Sequence, residues 1–290
     1  MTLLSNQDAS ISSHSISGKK AVFSLDLEAD YGGNEFLAVD RLFDLLNLLE
    51  EENVPLTVFV EGRILEKFPQ LVLKAMKRDV DFQLHCFDHT NVSGDDHSSL
   101  KKSIDLFKSV TGKMPTGYRA HTFRLTQELY KALVSEGIKW DSSILPALFG
   151  YGANKNRIWH TAGNSYFRLD NNLYEFPVAV HPRIKIPFIH SYQMLARKWP
   201  SALVRWLGGI PDLLVFDMHM VDLVRTEALH TSKAIPESAR MLYKSSWLFR
   251  EENTFDELRS LIHFLKRKGY AFSSLQGLYN DLQGNTDCEQ

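Results

Sequence analysis

The sequence predicts an α/β protein built as a distorted or incomplete (β/α) barrel of about seven parallel strands, with an insertion around residues 145–209. Apolar segments of strand length alternate along the chain with segments whose apolar residues recur at helical spacing, which is the pattern of βα units. The length of 290 residues suits one such domain, because (β/α) barrels commonly run to about 250 residues. Polar residues also recur where the predicted strands end, and barrel enzymes place their active sites there.

The first half of the chain shows this alternation most clearly. Residues 20–30 form an apolar segment that predicts a buried strand, and apolar residues spaced three and four apart predict a helix over residues 38–53. The elements predicted next are a strand at 54–62, a helix at 69–78, a strand at 80–86 and a helix at 98–110. This βαβα order predicts a parallel sheet, since parallel strands need helical crossovers between them.

The second half continues the pattern with one interruption. A helix is predicted from Thr126 to Glu136, and Gly137 follows as expected of a helix C-cap. The long stretch rich in Gly, Asn and Pro at residues 145–209 predicts an insertion over one face. The other predicted elements are strands at 116–121, 138–143, 173–180, 212–223 and 270–274, and helices at 254–269 and 275–282.

Composition and charge restrict the classes of partner. The net charge is −2, with 33 basic and 35 acidic residues mixed along the chain, so there is no basic stripe of the kind that nucleic acids require. Cys86 and Cys288 are the only cysteines, which argues against a disulfide framework and fits a reducing compartment. Because basic and acidic residues are mixed along the chain, we expect no nucleic-acid partner.

The ends of the chain predict a single main domain. The Ser-rich residues 1–18 are expected to be a disordered lead, residues 19–282 the main domain and residues 283–290 a tail. The lead has no continuous apolar region and the chain has no apolar run of about 18 residues, so we expect a cytoplasmic protein without a transmembrane segment. Residues 191–209 mix Trp and Leu with basic residues. They could contact a membrane peripherally or pack on their own domain.

Ten polar residues fall at or near the ends of predicted strands. They are Asp26, Glu28, Asp30, His85, His89, Arg119, His121, Asp141, His219 and Asp222. The His-x3-His pair alone is weak evidence for a metal, and the acidic residues at spacing two could be a solvated strand end. Their repeated occurrence at the end of a barrel where loops converge favours one shared site.

Five short segments, in order, resemble the motifs of a known family. They are "SLDLE" at 24–28, "HCFDH" at 85–89, "GYRAHTF" at 117–123, "WDSSI" at 140–144 and "VFDMHMVD" at 215–222. Their order and spacing resemble the polysaccharide deacetylase family, the NodB-homology domain of the family-four carbohydrate esterases. The closing segment 254–279 is similar to the end of that domain, so the resemblance covers approximately residues 19–282.

The resemblance implies a divalent metal, most often zinc with cobalt or nickel as alternatives, held by His85, His89 and a carboxylate. Glu28 is the favoured carboxylate, with Asp30 as its competitor. By the same resemblance Asp26 would be the catalytic base and Arg119 would hold it ionised. His219 would be the general acid, with Asp141 or Asp222 tuning the neighbouring groups.

Three departures from the family pattern leave roles open. The first motif lacks the usual adjacent Asp pair, and the fifth has Phe-Asp-Met-His, which leaves the role of His219 less certain. His121 stands where the family commonly has Pro, so it either faces the cleft or is a loop histidine.

Four aromatic side chains could either stack on sugar faces or belong to the core. They are Phe123, Trp140, Trp159 and Trp247.

The expected function is a metal-dependent deacetylase of an N-acetylated sugar or glycan. A cytoplasmic substrate would be a nucleotide- or lipid-linked precursor of a cell-surface polysaccharide. One alternative is a hydrolase of a non-sugar linear or cyclic amide, with or without a metal. Another is a catalytically silent glycan-binding barrel.

Overall fold

The computed structural model describes residues 11–14, 16–30, 33–89, 97–147, 166–169, 173–190, 209–223 and 254–286. Seven parallel strands surround a central core and confirm the predicted barrel. In spatial order they are β9 (Leu213–His219), β2 (Lys20–Leu27), β3 (Leu56–Val60), β4 (Val80–Leu84), β5 (Gly117–Tyr118), β6 (Trp140–Asp141) and β8 (Leu173–Glu175).

The barrel closes through chain that follows β8 rather than through a ladder between β8 and β9. The amide of Ala179 donates to the carbonyl of Val215 at 2.9 Å, and the amide of Asp217 donates to Phe188 at 3.1 Å. Hydrogen bonds from the chain after β8 therefore close the barrel in place of a regular strand ladder. This agrees with the distorted barrel that the sequence predicts.

Three further strands lie outside this circle. β10 (Ala271–Phe272) runs parallel to the beginning of β2. β7 (Tyr166–Leu169) pairs antiparallel with β8, and β1 (Ile11–His14) pairs antiparallel with β7. The lead that we expected to be disordered over residues 1–18 thus contains a strand, because β7 offers Ile11–His14 an edge to pair with.

Eight α-helices are described around the sheet. They are α1 (Leu42–Glu51), α2 (Gly62–Lys67), α3 (Pro69–Ala75), α4 (His97–Thr111), α5 (Gln127–Ser135), α6 (Met220–Leu223), α7 (Thr254–Arg267) and α8 (Leu275–Thr286). α5 starts at Thr126, whose hydroxyl accepts from the Leu129 amide at 3.1 Å. The chain leaves it through Gly137 at a φ of +81°, a left-handed conformation that favours glycine.

Most predicted elements are confirmed within a few residues, and the differences lie in short or tertiary-dependent ones. The strand predicted at 173–180 is β8, a member of the barrel that interrupts the insertion predicted at 145–209. α8 extends to Thr286, into the predicted tail. α2 has only six residues, and we did not predict it. Apart from Gly209, the segment 191–209 lies outside the described residues.

The two faces of β2 show how the core is divided. Ala21, Phe23 and Leu25 face the helices, in one continuous apolar cluster with residues of α1 and α7. Val22 packs instead with Phe59, Trp140, Phe176 and Val215 inside the barrel. Ser24 and Asp26 follow Val22 at spacing two, so the interior changes from apolar to polar toward the carboxyl end of β2.

A glycine in β5 permits the apolar part of this interior to fill. A Cβ atom added at Gly117 would collide with the indole ring of Trp140. Trp140 is fully buried and packs edge-on against Phe59, with ring centroids 5.9 Å apart. Trp140 is therefore a core residue, which removes it from the aromatic residues that could stack on a sugar.

No helix in the described part of the chain combines the length and the apolar composition that a bilayer span requires.

An ion cluster joins the end of α1 to α7 on the outside of the barrel. The carboxylate of Glu52 accepts from Arg259 at 2.8 Å and from Lys266 at 2.9 Å, and lies 3.0 Å from His263 Nε2. Burial opposes ionisation of Glu52, but the hydrogen bonds from Lys266, His263 and Arg259 outweigh it and lower its pKa to about 2.

We predict that Glu52→Gln lowers the unfolding free energy by about 1–2 kcal/mol near neutral pH, because its partners are partly exposed and solvent screens the pairs. The folded pKa lies below the usual value of 4.5, so this contribution is complete above the usual pKa and is lost as pH falls toward about 2. Denaturant unfolding at about pH 7 and about pH 3 measures it. Glu51→Gln, which removes only an exposed contact to Arg259, is the matched control. An equal loss for Glu52→Gln at both pH values would contradict the assignment.

Candidate active site

The carboxyl ends of β2, β4, β5 and β9 bring most of the predicted site residues to one rim of the barrel. The register between β2 and β9 pairs Asp26 with His219. Glu28 lies one residue beyond β2, and His85 directly follows β4. Arg119 directly follows β5. Residues far apart in the chain thus converge because the strands that carry them are parallel and adjacent.

Glu28 lies between the two histidines of the His-x3-His pair. Its Oε2 atom is 3.3 Å from Nε2 of His85 and 2.9 Å from Nε2 of His89. Nδ1 of His85 is 2.6 Å from the carbonyl of Arg119, which can only accept, so Nδ1 carries the proton. When the ring is neutral, Nε2 of His85 therefore presents a lone pair toward Glu28.

The ionisation of these three residues is strongly coupled. Burial raises the pKa of Glu28, but the charge of His89 and the hydrogen bond from His85 outweigh burial and hold that pKa well below 4.5. Burial likewise opposes the charge on His89, yet the carboxylate of Glu28 and the neighbouring Cys86 raise its pKa to about 10. The pocket therefore favours a positive charge beside Glu28.

The three side chains fit a divalent cation. Two imidazoles and one carboxylate are a donor set that metal enzymes use, and a ligand histidine typically donates its other N–H to a carbonyl, as His85 does. Nε2 of His89 is close to Glu28 but lacks hydrogen-bond geometry, and Nδ1 of the same ring is buried without a hydrogen-bond partner among the described residues. A cation would satisfy the ring nitrogen that faces Glu28.

Asp30, the competing carboxylate, faces a different part of the chain. One of its oxygens accepts from the amide of Leu37, and Oδ1 accepts from the amide of Ala38 at 3.2 Å. Burial raises its pKa, and these two hydrogen bonds act against that shift. Its carboxylate holds the loop that precedes α1, because both of these hydrogen bonds come from the backbone of that loop.

Arg119 holds Asp26 in a separate buried network. Its NH1 atom donates to Oδ1 of Asp26 at 2.8 Å and also contacts Asp217 and the hydroxyl of Ser24. Its other nitrogens donate to Ser142, from Nε to the carbonyl at 3.1 Å and from NH2 to the hydroxyl at 2.9 Å. The guanidinium is fully buried, so its charge depends on the carboxylates beside it.

Asp217 is a site residue that the sequence analysis missed. It is fully buried in β9, and burial together with the charge of Asp26 raises its pKa to about 7. Its position two residues before His219 places it on the same face of β9, and this spacing was the signal that could have found it.

His219 lies at the open side of the cluster, with 26% of its side chain exposed. Nε2 is 3.8 Å from Asp26 and 3.8 Å from Glu28. Nδ1 is 3.4 Å from Oδ2 of Asp222 and 3.9 Å from Asp217. Burial opposes its charge, but Asp222, Glu28 and Asp217 outweigh burial and raise its pKa well above 6.5.

Asp141 is buried near this rim but makes other contacts. Its Oδ1 accepts from the hydroxyl of Ser143 at 2.7 Å, and the same hydroxyl accepts from the amide of Ala120 at 2.7 Å. Glu175 lies opposite Asp141 in the sheet, and burial and the charge of Asp141 raise the pKa of Glu175 well above 4.5. Asp141 thus supports the chain around Arg119, and Asp222 is the nearer carboxylate to Nδ1 of His219.

His121 and Phe123 lie beside the histidine pair and Arg119. The ring centroids of His121 and His89 are 3.8 Å apart. Burial and the charges of His89 and His85 lower the pKa of His121 to about 3. Phe123 is buried, 5.7 Å from the guanidinium of Arg119. Trp159 and Trp247 lie outside the described residues.

A family model described as "Polysaccharide deacetylase" matches residues 29–139 of the chain. This range includes both histidines of the pair, Arg119 and His121, and it begins just after Asp26 and Glu28. The match covers less than half of the chain, and the motifs outside residues 29–139 gain no support from it. For those motifs the support is the geometry described above.

Two curated proteins match over a similar share. A peptidoglycan deacetylase of Helicobacter pylori is 29% identical over 105 residues, which are 35% of this chain and 36% of that protein. A peptidoglycan deacetylase-like protein, FGM2, of Gibberella zeae is 27% identical over 122 residues, which are 40% of this chain and 36% of that protein. The matched part spans about a third of the length of each relative.

Among solved structures, Puue allantoinase superposes with a TM-score of 0.51 at 12% identity, covering 88% of this chain and 87% of the other. At this identity the likeness concerns the fold alone. It agrees with the barrel described above. Residues 29–139 of the chain are therefore similar to the polysaccharide deacetylase family.

Proposed function

We propose that the chain is a metal-dependent hydrolase that removes the acetyl group from an N-acetylated sugar or glycan. The observation that carries this proposal is the separation of two carboxylates two residues apart. Glu28 lies against both histidines, whereas Asp26 is bound to Arg119. One carboxylate is thus available to hold a cation and the other to accept a proton.

Glu28, His85 and His89 would hold the cation, which we propose to be zinc, with cobalt or nickel as alternatives for the same donors. A divalent cation bound there would polarise the acetamide carbonyl and lower the pKa of a water molecule. Arg119 contacts Asp26 but none of these three side chains through its guanidinium. The positive charge of the arginine therefore serves the base and not the ligands.

Asp26 and His219 would handle the protons. Asp26 would take a proton from the attacking water, and the hydrogen bond from Arg119 orients its carboxylate. His219, 3.8 Å from Asp26, would donate a proton to the amine as the carbon–nitrogen bond breaks. The products are acetate and the free amino sugar. Asp222 would stabilise the protonated ring through Nδ1.

The substrate class is a further part of the proposal. The two curated relatives are named for peptidoglycan, which supports a glycan that carries acetamido groups. The sequence expectation of a cytoplasmic, nucleotide- or lipid-linked precursor stays a proposal, as does peripheral contact with a membrane. Acetate release from peptidoglycan, chitooligosaccharides and a nucleotide-linked N-acetyl sugar would compare these substrates directly. Allantoin has no acetyl group, so hydrolytic opening of its ring would be measured separately as the test of a non-sugar amide.

We predict that Glu28→Gln and His85→Ala each weaken zinc binding by at least about 100-fold, since loss of even an outer partner of a ligand costs about 10–100-fold. Asp30→Asn should bind zinc like the unaltered protein, because Asp30 holds a loop. Equilibrium dialysis followed by elemental analysis measures the bound metal, and circular dichroism checks folding. Loss of zinc from Asp30→Asn together with retention by Glu28→Gln would reverse the assignment. An unaltered protein that binds no zinc, cobalt or nickel would favour the metal-free alternative.

For Asp26→Asn we predict retained zinc and a loss of about 10²–10⁴-fold in kcat for acetate release, the range that a general base contributes. Asp105→Asn, an exposed change on α4, is the control and should leave both quantities unchanged. Zinc loss in Asp26→Asn would mean that Asp26 is a ligand. Sugar binding without acetate release by the zinc-loaded, unaltered protein would support the silent glycan-binding barrel.

A further inference from the structure

The cluster of metal-ligating side chains at the rim is larger than the three residues assigned above. Ligand atoms of His85, Cys86, His89 and His121 all lie within 4.8 Å of one another. Two of these four, His85 and His89, are the histidines that face Glu28. Cys86 and His121 are two further donors that the proposed mechanism does not use.

The backbone around His121 brings its ring to this position. His121 begins a short 3-10 turn after β5, and the next two residues, Thr122 and Phe123, both have a φ of +54°. Left-handed backbone at a Thr and a Phe is uncommon, and such conformations occur often at functional sites. After this turn the imidazole of His121 lies with its ring centroid 3.8 Å from that of His89, the two ring planes being tilted by 37°.

We propose that His121 is a further ligand of the cation held by Glu28, His85 and His89. The inference rests on the proposed function, because it extends the same metal site. The donor set then has three imidazoles and one carboxylate, contributed by the chain after β2, β4 and β5.

His121 is a better candidate than Cys86 on chemical grounds. A neutral imidazole can bind a cation directly through its ring nitrogen, whereas a thiol must first lose its proton.

A nitrogen-rich set has consequences for the metal and for the open positions around it. Imidazole ligands suit zinc, cobalt and nickel, whereas magnesium and manganese prefer oxygen ligands. Four protein ligands leave room for a substrate or water only on an ion that accepts five or more ligands. His121 would therefore restrict both which ions bind and how many exchangeable ligands each ion keeps.

The test is the number of imidazoles around zinc in the intact chain, measured by X-ray absorption spectroscopy of the zinc-loaded protein. We expect three imidazoles in the unaltered protein and two in His121→Ala. We also expect zinc affinity to fall at least about tenfold in His121→Ala, as measured by competition with a chelator. His97→Ala, a change at an exposed histidine paired with Glu136, is the control and should keep three imidazoles. The count in the unaltered protein does not depend on any variant folding.

Each outcome decides a different part of the account. Two imidazoles in both the unaltered protein and His121→Ala would overturn this inference and leave the proposed function standing. A sulfur neighbour at about 2.3 Å, the length of a zinc–thiolate bond, would overturn it in favour of Cys86. Failure of the unaltered protein to bind any divalent cation would overturn the proposed function itself.

Discussion

The buried guanidinium of Arg119 is the constraint on which the site depends. A cation removed from water is costly unless carboxylates and hydrogen bonds compensate for it, and Arg119 obtains these from β2, from β9 and from the chain after β6. It thereby fixes Asp26 in the interior of the barrel. With Asp26 bound to the arginine, Glu28 is the acidic residue of the first motif that faces the histidine pair, because Asp30 holds a loop.

The barrel places these charges in a gradient from apolar to polar. Val22, Ser24 and Asp26 lie on one face of β2, and they pass from the packed aromatic interior to the rim in two steps of two residues. The aromatic core below and the carboxylate of Asp26 above are thus consequences of one strand pattern. Arg119 also lies 4.1 Å from the ring centroid of Phe59, where the two regions meet. The aromatic interior of the barrel therefore packs against the arginine that binds Asp26.

Much of this arrangement could be predicted from the sequence. The periodic segments predicted the alternating strands and helices. The position of polar residues at strand ends predicted that the histidine pair, Asp26, Arg119 and His219 belong to one site. Glu28 was favoured over Asp30 but the sequence could not exclude Asp30, since spacing two places both on one face and only the bend of the chain after β2 separates them. Asp217, Ser24 and Ser142 were missed because their roles arise from contacts with Arg119 across the barrel. The strand β1 exists only because β7 offers it an edge.

The central claim is that the two carboxylates of the first motif have separate partners. A crystal structure of the zinc-loaded protein, with anomalous data collected on both sides of the zinc absorption edge, tests it most directly. The account predicts an anomalous peak within about 2.0–2.2 Å of Glu28, His85 and His89, with Asp26 beyond bonding distance and still bound to Arg119. A peak bonded to Asp26, or one remote from the histidine pair, would contradict it.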